Sequence, residues 1–321
     1  MKHQGLCLIT GGCGFIGTNL VEKLINEGYR VRVFDMPSAN RDNLTTIGSE
    51  VDFFAGDFLN GAEVDRALED AEFVFHLVGT TLPSSSNKNP VFDVQSNVVA
   101  TIRLLEASVR HKVKRVLFAS SGGTVYGEPE KIPITEDHPT NPLCSYGITK
   151  LAIEKYLRLF HQLHGLDYTI LRIANPYGKY QNVTSEQGVI GVLLARVREG
   201  QAITIWGDGS VKRDYVYVGD VVDAFLAALR HTSPYRIFNI GTGVATSIMD
   251  LLTLLPHVTG IKPKVEYSAG RPIDVSMNVL DSTRANRYLD WRAQTDCEAG
   301  LRKTWDWISN NTTLNAAVAS E

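Results

Sequence analysis

The sequence predicts an α/β fold, a doubly wound parallel sheet joined to a smaller C-terminal α/β lobe. A buried apolar strand at residues 6–10 is followed by a Gly-rich turn, an amphipathic helix at 19–27 and a second strand at 30–35. The pattern recurs, because 51–55, 73–77, 115–120 and 168–172 also have the composition of buried strands and are separated by helical stretches. Beyond about residue 175 the alternation loosens. Such alternation is typical of a parallel sheet with helices on both faces.

Further elements follow from the same periodicity. Helices are expected at 91–111, 146–164, 189–199 and 218–230, and an edge strand at 202–206. We therefore expect a first domain over residues 1–174, to which the helix and strand near 215–240 return. A smaller lobe is expected over 175–309, and a flexible tail of small and polar residues over 310–321.

Composition narrows the class of protein. The chain has 321 residues, 44% hydrophobic and 21% charged, which is ample material for a core. A formal net charge of -3 leaves no basic field for nucleic acid, and no segment approaches the about 18 consecutive apolar residues of a membrane span. The four cysteines form no Cys-x-x-Cys pair, and the N-terminus leads into a strand instead of a signal peptide. We expect a cytoplasmic protein that binds neither nucleic acid nor membrane.

The Gly-rich turn TGGCGFIG at 10–17 predicts a dinucleotide site. Gly11, Gly14 and Gly17 are spaced so that the backbone turns tightly and approaches a pyrophosphate at the N-terminus of the next helix. Such a turn can also be purely structural. Asp35 at the end of the second strand favours the functional interpretation, because its carboxylate accepts hydrogen bonds from ribose hydroxyls and repels a 2'-phosphate. The sequence therefore predicts NAD rather than NADP.

Tyr146 and Lys150, in CSYGITK, predict redox chemistry. A tyrosine can exchange a proton with a sugar or alcohol hydroxyl, and a nearby ammonium stabilises the phenolate. Lowering a phenol pKa from about 10 to about 7 requires roughly 4 kcal/mol of differential stabilisation. We expect one lysine and a cationic nicotinamide ring to supply it in a dry site.

A series of motifs runs through nearly the whole chain. They are TGGCGFIG, Asp35, Asp57-Phe58, HLVG at 76–79, Asn97, SSGGTVYG at 120–127, Tyr146-x3-Lys150, Arg172-x2-Asn175-x-Tyr177-Gly178, Arg213-Asp214-Tyr215 and Arg271-Pro272-x-Asp274. In these motifs the chain resembles the extended short-chain dehydrogenase/reductase family and, within it, NAD-dependent nucleotide-sugar epimerases of the UDP-glucose 4-epimerase type. The resemblance implies a Rossmann domain that holds NAD, a smaller lobe that holds a sugar nucleotide, and a cleft between them.

The resemblance also implies roles for single residues. Tyr146 would take the proton of the sugar's 4-hydroxyl as hydride leaves C4 for the nicotinamide, and Lys150 would bond the nicotinamide ribose and lower the tyrosine pKa. The implied cofactor contacts, many of which core packing would equally explain, are Gly11, Gly14, Phe15, Ile16, Gly17, Asp35, Asp57, Phe58, Leu77, Asn97, Ser120, Tyr146 and Lys150.

Implied substrate contacts lie mostly in the second half of the chain. Asn175, Arg213 and Arg271 would hold the diphosphate, since arginine forks donate paired hydrogen bonds. Asp274 would bond a ribose or order Arg271, and Trp206 would lie near the base. Asn278 stands where the family limits the bulk allowed at C2 of the sugar, and its small size predicts that UDP-GlcNAc and UDP-GalNAc are accepted beside UDP-Glc and UDP-Gal.

One departure from the family's pattern concerns the catalytic hydroxyl. Gly122 stands where the family usually has Ser or Thr, so the hydroxyl must come from a neighbour, and Thr124 is preferred to Ser121. Residues 122–124 also lack the Asp-Glu pair of the related 4,6-dehydratases and the Glu of the decarboxylases. We therefore expect a 4-epimerase that works through a transient 4-keto sugar. An NAD(P)H-dependent 4-keto-sugar reductase and a non-catalytic NAD sensor are the alternatives.

The remaining expectations concern partners and metals. The resemblance implies a homodimer through helices 91–111 and 146–164, although their apolar stripes would also suit a core. His161 and His164 lack a third ligand, so no metal is expected. His76 could be an acid-base group, but we expect a satisfied, partly buried histidine that packs beneath the cofactor.

Overall fold

A computed structural model of the chain describes residues 4–48, 50–183, 188–269 and 275–310. Its strands are β1 (Leu6–Thr10), β2 (Arg30–Asp35), β3 (Val51–Ala55), β4 (Phe73–His76), β5 (Arg115–Ser121), β6 (Asp167–Ile173), β7 (Asn175–Tyr177), β8 (Ala202–Trp206), β9 (Lys212–Arg213), β10 (Tyr215–Tyr217), β11 (Ile237–Ile240), β12 (Thr246–Ser247), β13 (Lys264–Ser268) and β14 (Met277–Asn278). Its helices are α1 (Phe15–Asn26), α2 (Asp42–Ile47), α3 (Gly61–Ala67), α4 (Pro83–Ser86), α5 (Pro90–Asp93), α6 (Ala100–Arg110), α7 (Ser145–His164), α8 (Val189–Arg198), α9 (Val218–Arg230), α10 (Ile248–Thr259), α11 (Thr283–Leu289) and α12 (Cys297–Asn310), with a π-helical segment at Val94–Val99 between α5 and α6.

Seven parallel strands form the central sheet, in the order β11-β6-β5-β4-β1-β2-β3. The chain winds outward from β1 to β3 and then returns to β4 on the other side of β1, so the order reverses there. In sheets of this kind ligands bind beyond the carboxyl ends of the strands at such a reversal. The predicted doubly wound parallel sheet is therefore confirmed.

Helices cover both faces of the sheet because its strands are apolar on both sides. All five residues of β1 are buried. On one face, Leu20 of α1 and Phe225 of α9 share a core with Leu117 of β5. On the other face, Leu104 of α6 and Leu157 of α7 share a second core. Strands buried on both sides read as apolar runs, which is why their positions could be predicted. The edge strand β3 was also predicted to be buried, but none of its five residues is.

Two helices differ from the sequence-based prediction. The first begins at Phe15 rather than residue 19. The prediction missed this first turn because it contains Gly17, and glycine weakens a helical pattern. The helix predicted at 91–111 is divided by the π-helical segment, whose wider turn is invisible to a 3.6-residue period.

The second half of the chain contributes both to the central sheet and to a separate core of its own. Strand β11 pairs with β6, with Ile237 opposite Ile170, and α9 packs on α1. Helices α8, α10 and α12 surround a third core around Leu194, Leu251 and Leu301, beside the parallel pair β8 and β13. Among the described residues, no helix combines the length and apolar character needed to cross a bilayer.

Candidate active site

The Gly-rich turn lies at the carboxyl end of β1. Gly11 has a φ of +73°, a conformation that favours glycine, and its N–H donates to the Phe34 carbonyl at 2.9 Å. A Cβ on Gly17 would lie 2.4 Å from the Gly11 carbonyl oxygen, so no larger residue fits there. The residue that precedes α1, Gly14, has no side chain with which to cap the N-terminus of the helix. The N–H groups of its first turn, which begins with Phe15 and Ile16, therefore suit an anion such as a pyrophosphate.

Asp35 stands at the edge of this turn. Its Oδ2 accepts from the N–H of Cys13 and its Oδ1 from that of Met36, both at 2.9 Å. The half-buried carboxylate keeps further acceptor capacity at the end of β2, where ribose hydroxyls would lie. The backbone N–H groups of the turn suit the pyrophosphate of NAD, and the Asp35 carboxylate beside them suits its ribose.

Tyr146 and Lys150 lie one turn apart near the start of α7. The Lys150 Nζ atom donates to the Ala119 carbonyl of β5 at 3.0 Å and lies 5.6 Å from the centre of the Tyr146 ring. A Cβ on Gly79 would lie 4.0 Å from that Nζ, and a Cβ on Gly11 would lie 2.9 Å from the neighbouring Val78 backbone. The segment after β4 thus separates the Gly-rich turn from Lys150, and the fold brings the predicted cofactor turn and the predicted catalytic pair together.

The protonation of this pair differs from the sequence-based expectation. Burial and, to a smaller extent, the negative charges of Cys144 and Asp93 raise the pKa of Tyr146 to about 12. Burial lowers the pKa of Lys150 to about 8, although the Asp93 and Glu154 carboxylates oppose this shift. The expected lowering of the tyrosine pKa is therefore not produced by the surrounding protein groups alone. The positive charge of a nicotinamide ring would be an additional source of the stabilisation that the phenolate needs.

The turn after β5 holds the candidate hydroxyls. The Thr124 Oγ1 atom is buried and has no hydrogen-bond partner in the described part of the chain. A Cβ on Gly147 would lie 2.9 Å from the Thr124 carbonyl oxygen, so this turn packs against the first turn of α7 beside Tyr146. Ser121 is half-buried at the end of β5.

Gly122 is required by the packing of this turn. A Cβ there would lie 2.5 Å from the fully buried Leu280 side chain and 3.1 Å from the Arg172 carbonyl oxygen. A Ser or Thr at this position would need Leu280 to move. The departure from the family's pattern is therefore built into the fold.

Several predicted cofactor residues use their side chains elsewhere. The Ser120 hydroxyl donates to Glu154 at 2.6 Å. The Asn97 side chain accepts from the Thr80 N–H at 3.1 Å and donates to Asp93 at 2.8 Å. These side chains support the loops around the site, and contact with a cofactor would have to come from their backbone or from neighbouring residues.

The other residues of this group lie at strand ends. The Phe58 ring is buried and its centre lies 5.3 Å from that of His76. Asp57 is exposed and accepts from the Leu59 N–H at 2.9 Å. The N–H of half-buried Leu77 donates to the Thr10 carbonyl, directly behind the Gly-rich turn.

His76 is a neutral histidine of the core, as predicted. Its ring nitrogens lie 2.9 Å from the Thr10 hydroxyl and 2.8 Å from the Thr101 hydroxyl, between the Phe58 and Phe118 rings. Burial lowers its pKa to about 3. No three His, Cys, Asp or Glu side chains gather as a metal site would require within the residues that the structure describes.

The predicted substrate residues occupy strand ends of the second half. Asn175 donates to the Asp214 carbonyl at 3.1 Å, and Arg213 donates to the Val275 carbonyl at 2.7 Å. Asn278 lies opposite Arg213 in the parallel pairing of β14 with β9 and is 2% exposed. Its side chain donates to the Gly122 carbonyl at 3.2 Å. Trp206 ends β8 with 51% of its surface exposed. Arg271 and Asp274 lie outside the described residues.

Two fully buried carboxylates, Asp214 and Asp93, had no predicted role. Asp214 accepts from the N–H groups of Thr242, Gly243 and Leu280 and from the Thr242 hydroxyl, and so joins three segments of the second half of the chain. Its place in the Arg213-Asp214-Tyr215 motif was the available signal. Asp93 has no such motif.

A parallel sheet with a Gly-rich turn at its reversal point, an acid on β2 and a Tyr-Lys pair on α7 define a dinucleotide-dependent enzyme of the extended short-chain dehydrogenase/reductase class. The chain belongs to the NAD dependent epimerase/dehydratase family, whose sequence profile matches residues 7–241. Its cofactor is therefore NAD.

Similar proteins span nearly the whole chain. A crystal structure of UDP-glucose 4-epimerase from Thermotoga maritima, with UDP-glucose, has a TM-score of 0.90 and 37% identity over 95% of this chain and 98% of that one. The UDP-glucose 4-epimerase of Mycolicibacterium smegmatis is 37% identical over 94% of this chain and 98% of its own length. The dTDP-4-dehydro-6-deoxyglucose reductase of Escherichia coli is 32% identical over 92% of this chain and 95% of its own.

Proposed function

We propose that the protein is an NAD-dependent 4-epimerase that interconverts UDP-Glc and UDP-Gal through a transient 4-keto sugar. The observation that carries this proposal is the pairing of Tyr146 and Lys150 with a turn, residues 122–124, that contains no carboxylate. A dehydratase needs an acid and a base there to remove water after oxidation. The similarity to UDP-glucose 4-epimerases over nearly the whole chain supports the same activity.

In the proposed mechanism Tyr146 takes the proton of the sugar's 4-hydroxyl and later returns it. NAD, which the Gly-rich turn and Asp35 would hold, would supply the acceptor for the C4 hydride and its return to the opposite face of the sugar. Lys150 holds a positive charge 5.6 Å from the phenol ring and favours its ionised form. The Thr124 hydroxyl, which is buried and unpartnered within the described residues, supplies a hydrogen bond to the same sugar oxygen. Lys150 is buried and Tyr146 is half-buried, which limits access of water to the 4-keto sugar.

The test is incubation of the purified protein, without added NAD, with UDP-Glc, UDP-Gal and their N-acetylated counterparts. Chromatographic separation of the epimers reports the activity. We expect interconversion by the wild type and a loss of at least about 100-fold for Tyr146→Phe, because the proton acceptor is removed. Product formed equally fast by both proteins would contradict the mechanism.

The 4-keto-sugar reductase is the second candidate, because the similar Escherichia coli protein is named as a reductase of this kind. A reductase uses the same Tyr-Lys pair but exchanges its cofactor in every turnover. Activity that appears only when free nicotinamide cofactor and a 4-keto sugar are supplied would identify it. Retention of NAD through purification, with turnover in its absence from the buffer, favours the epimerase.

The role of Thr124 is tested by paired substitutions. Thr124→Val keeps the shape and removes the hydroxyl, and we expect kcat to fall about 10-fold or more. Thr124→Ser should restore most of the activity. Ser121→Ala is the matched control on the same turn. If Ser121→Ala abolishes turnover and Thr124→Val does not, the hydroxyl comes from Ser121.

The width of the sugar site is proposed to depend on Asn278. Its contact with the Gly122 carbonyl places it beside the turn that carries Thr124. We propose that this small residue admits UDP-GlcNAc and UDP-GalNAc. Asn278→Tyr should remove activity on the N-acetylated pair selectively, and an equal loss on both pairs would contradict this role.

We propose further that the enzyme is a cytoplasmic homodimer. Large apolar side chains are exposed on the helices implied in dimerisation, with Val91 at 66%, Leu163 at 65% and Ile148 at 54%. We propose that these side chains are buried between two copies of the chain. The four cysteines are free thiols, which suits a reducing compartment. Light scattering should give twice the chain mass, and Leu163→Glu should give a monomer.

A further inference from the structure

Asp93 is a fully buried carboxylate with hydrogen bonds to three separate segments. Its Oδ1 accepts from the Thr81 hydroxyl at 2.5 Å and from the Asn97 amide at 2.8 Å. Its Oδ2 accepts from the Ser145 hydroxyl at 2.6 Å and lies 3.5 Å from the Thr149 hydroxyl, which donates at 2.9 Å to the Tyr146 carbonyl. One side chain thus joins the segment after β4, the π-helical segment and the start of α7.

The two contacts on α7 lie next to the two catalytic residues. Ser145 precedes Tyr146, and Thr149 precedes Lys150. Residues four apart share one face of a helix, and each following residue is turned by about 100°. When Asp93 holds the face that carries Ser145 and Thr149, it fixes the rotation of α7 about its axis. That rotation determines where the phenol and the ammonium point.

The same turn of α7 is held at its N-terminus by a second set of side chains. The Ser145 N–H donates to the Asn87 side-chain oxygen at 2.8 Å, and the Tyr146 N–H donates to the Ser86 hydroxyl at 3.1 Å. These bonds fix the position of the helix end. They leave its rotation to be fixed by contacts along the side of the helix, such as the two contacts with Asp93.

The charge of Asp93 is not balanced by a bonded cation. Its hydrogen-bond partners within the described residues are hydroxyls and an amide. An unpaired buried carboxylate destabilises a fold, and a neutral asparagine would fill the same space at lower cost. A purely structural role therefore does not account for the charge.

The Asp93 charge acts on the two proposed catalytic residues, Tyr146 and Lys150. On α7 and the residue before it, Tyr146, Lys150, Glu154 and Cys144 form the titratable neighbourhood. His76 of β4, on the other side of Lys150, is neutral. The Asp93 carboxylate raises the pKa of both Tyr146 and Lys150.

We propose that Asp93 is a positioning residue for Tyr146 and Lys150, one that fixes the rotation of the catalytic helix and sets the negative charge beside both side chains. This inference rests on the proposed epimerase activity. Removal of the charge favours the phenolate and disfavours the ammonium, so both ionisations move to lower pH. Activity requires an ionised tyrosine and a charged lysine, and the whole pH profile of kcat is therefore displaced to lower pH.

The test compares Asp93→Asn, which keeps the shape, with Ser145→Ala, which keeps the charge and removes one bond. For Asp93→Asn we expect kcat about 10-fold lower at the wild-type optimum and a profile displaced to lower pH by about one unit. For Ser145→Ala we expect a lower kcat with an undisplaced profile. Amide exchange over residues 144–151, which does not depend on turnover, should quicken in both variants.

Each outcome decides a different point. A folded Asp93→Asn protein with the wild-type profile refutes the role of the charge. If Asp93→Asn does not fold, unchanged kcat and amide exchange in Ser145→Ala refute the positioning role. A wild-type protein that binds NAD but converts none of the four UDP-sugars refutes the proposed function instead, and amide exchange then still tests the contact between Asp93 and α7.

Discussion

The buried ion pair between Glu154 and Arg172 should contribute more to stability than any exposed pair of similar geometry. Arg172 donates to the two carboxylate oxygens at 3.0 and 2.6 Å, and the side chains are 1% and 3% exposed. Glu154→Gln keeps the volume and leaves the arginine cation buried beside a neutral amide. Breaking such a pair from one side costs about 3–5 kcal/mol of unfolding free energy. The substitution also weakens the hydrogen bond that the Ser120 hydroxyl donates to the same carboxylate.

The assay is urea unfolding with NAD at saturating concentration in every sample, because a bound ligand adds to apparent stability. A loss of this size lowers the unfolding midpoint by about 1 M or more. Asp52→Asn is the matched control, since the Arg32–Asp52 pair has the same 2.6 Å separation but an acid that is 54% exposed. We expect this control to cost less than about 1 kcal/mol.

Two results would refute the reasoning. Equal losses for Glu154→Gln and Asp52→Asn would show that burial does not govern the contribution of the pair. A double variant, Glu154→Gln with Arg172→Met, should recover part of the loss because no buried cation remains. A double variant less stable than Glu154→Gln would show that Arg172 acts mainly through other contacts.

The remaining predictions concern packing and pH. Gly17→Ala places a Cβ 2.4 Å from the Gly11 carbonyl oxygen, and we expect the purified protein to have lost its NAD, measured by absorbance after denaturation. Gly122→Ser should not raise turnover. It should lower the free energy of unfolding by about 1–3 kcal/mol, because its Cβ would lie 2.5 Å from the Leu280 side chain. His76 has a folded pKa of about 3, below its ordinary value, so its contribution to stability is present above about pH 6.5 and is lost as pH falls towards 3. In NMR spectra the His76 ring should not titrate between pH 5 and 8, and an inflection near pH 6.5 would contradict its burial.

Most of the central sheet could be predicted because its signals are local. The strands at 6–10, 30–35 and 51–55 are short stretches rich in apolar residues between helical segments and turns, and the structure has them with the same bounds. The π-helical segment at Val94–Val99 and two-residue strands such as β14 were missed. Their conformation depends on partners that are distant in the sequence, so no short pattern marks them.

The candidate site was predictable to a similar degree. The Gly-rich turn, Asp35 and the Tyr-Lys pair are recognisable because one short segment supplies each chemical group. Asn97 and Ser120 were also named, but the structure shows their side chains bonded to Asp93 and Glu154. Which side a polar group faces depends on the neighbouring elements and cannot be read from a motif.

The sequence by itself determined the fold class, the NAD cofactor and the family, because hydrophobic periodicity and short motifs are local properties of the chain. Only the tertiary structure decided that Gly122 must lack a side chain, that Asp93 joins three segments, and that burial raises rather than lowers the pKa of Tyr146 in the protein alone. Packing distances and electrostatic environments depend on residues brought together from distant positions. Ser145 lies 52 residues from Asp93 in the chain, yet their side chains are hydrogen-bonded.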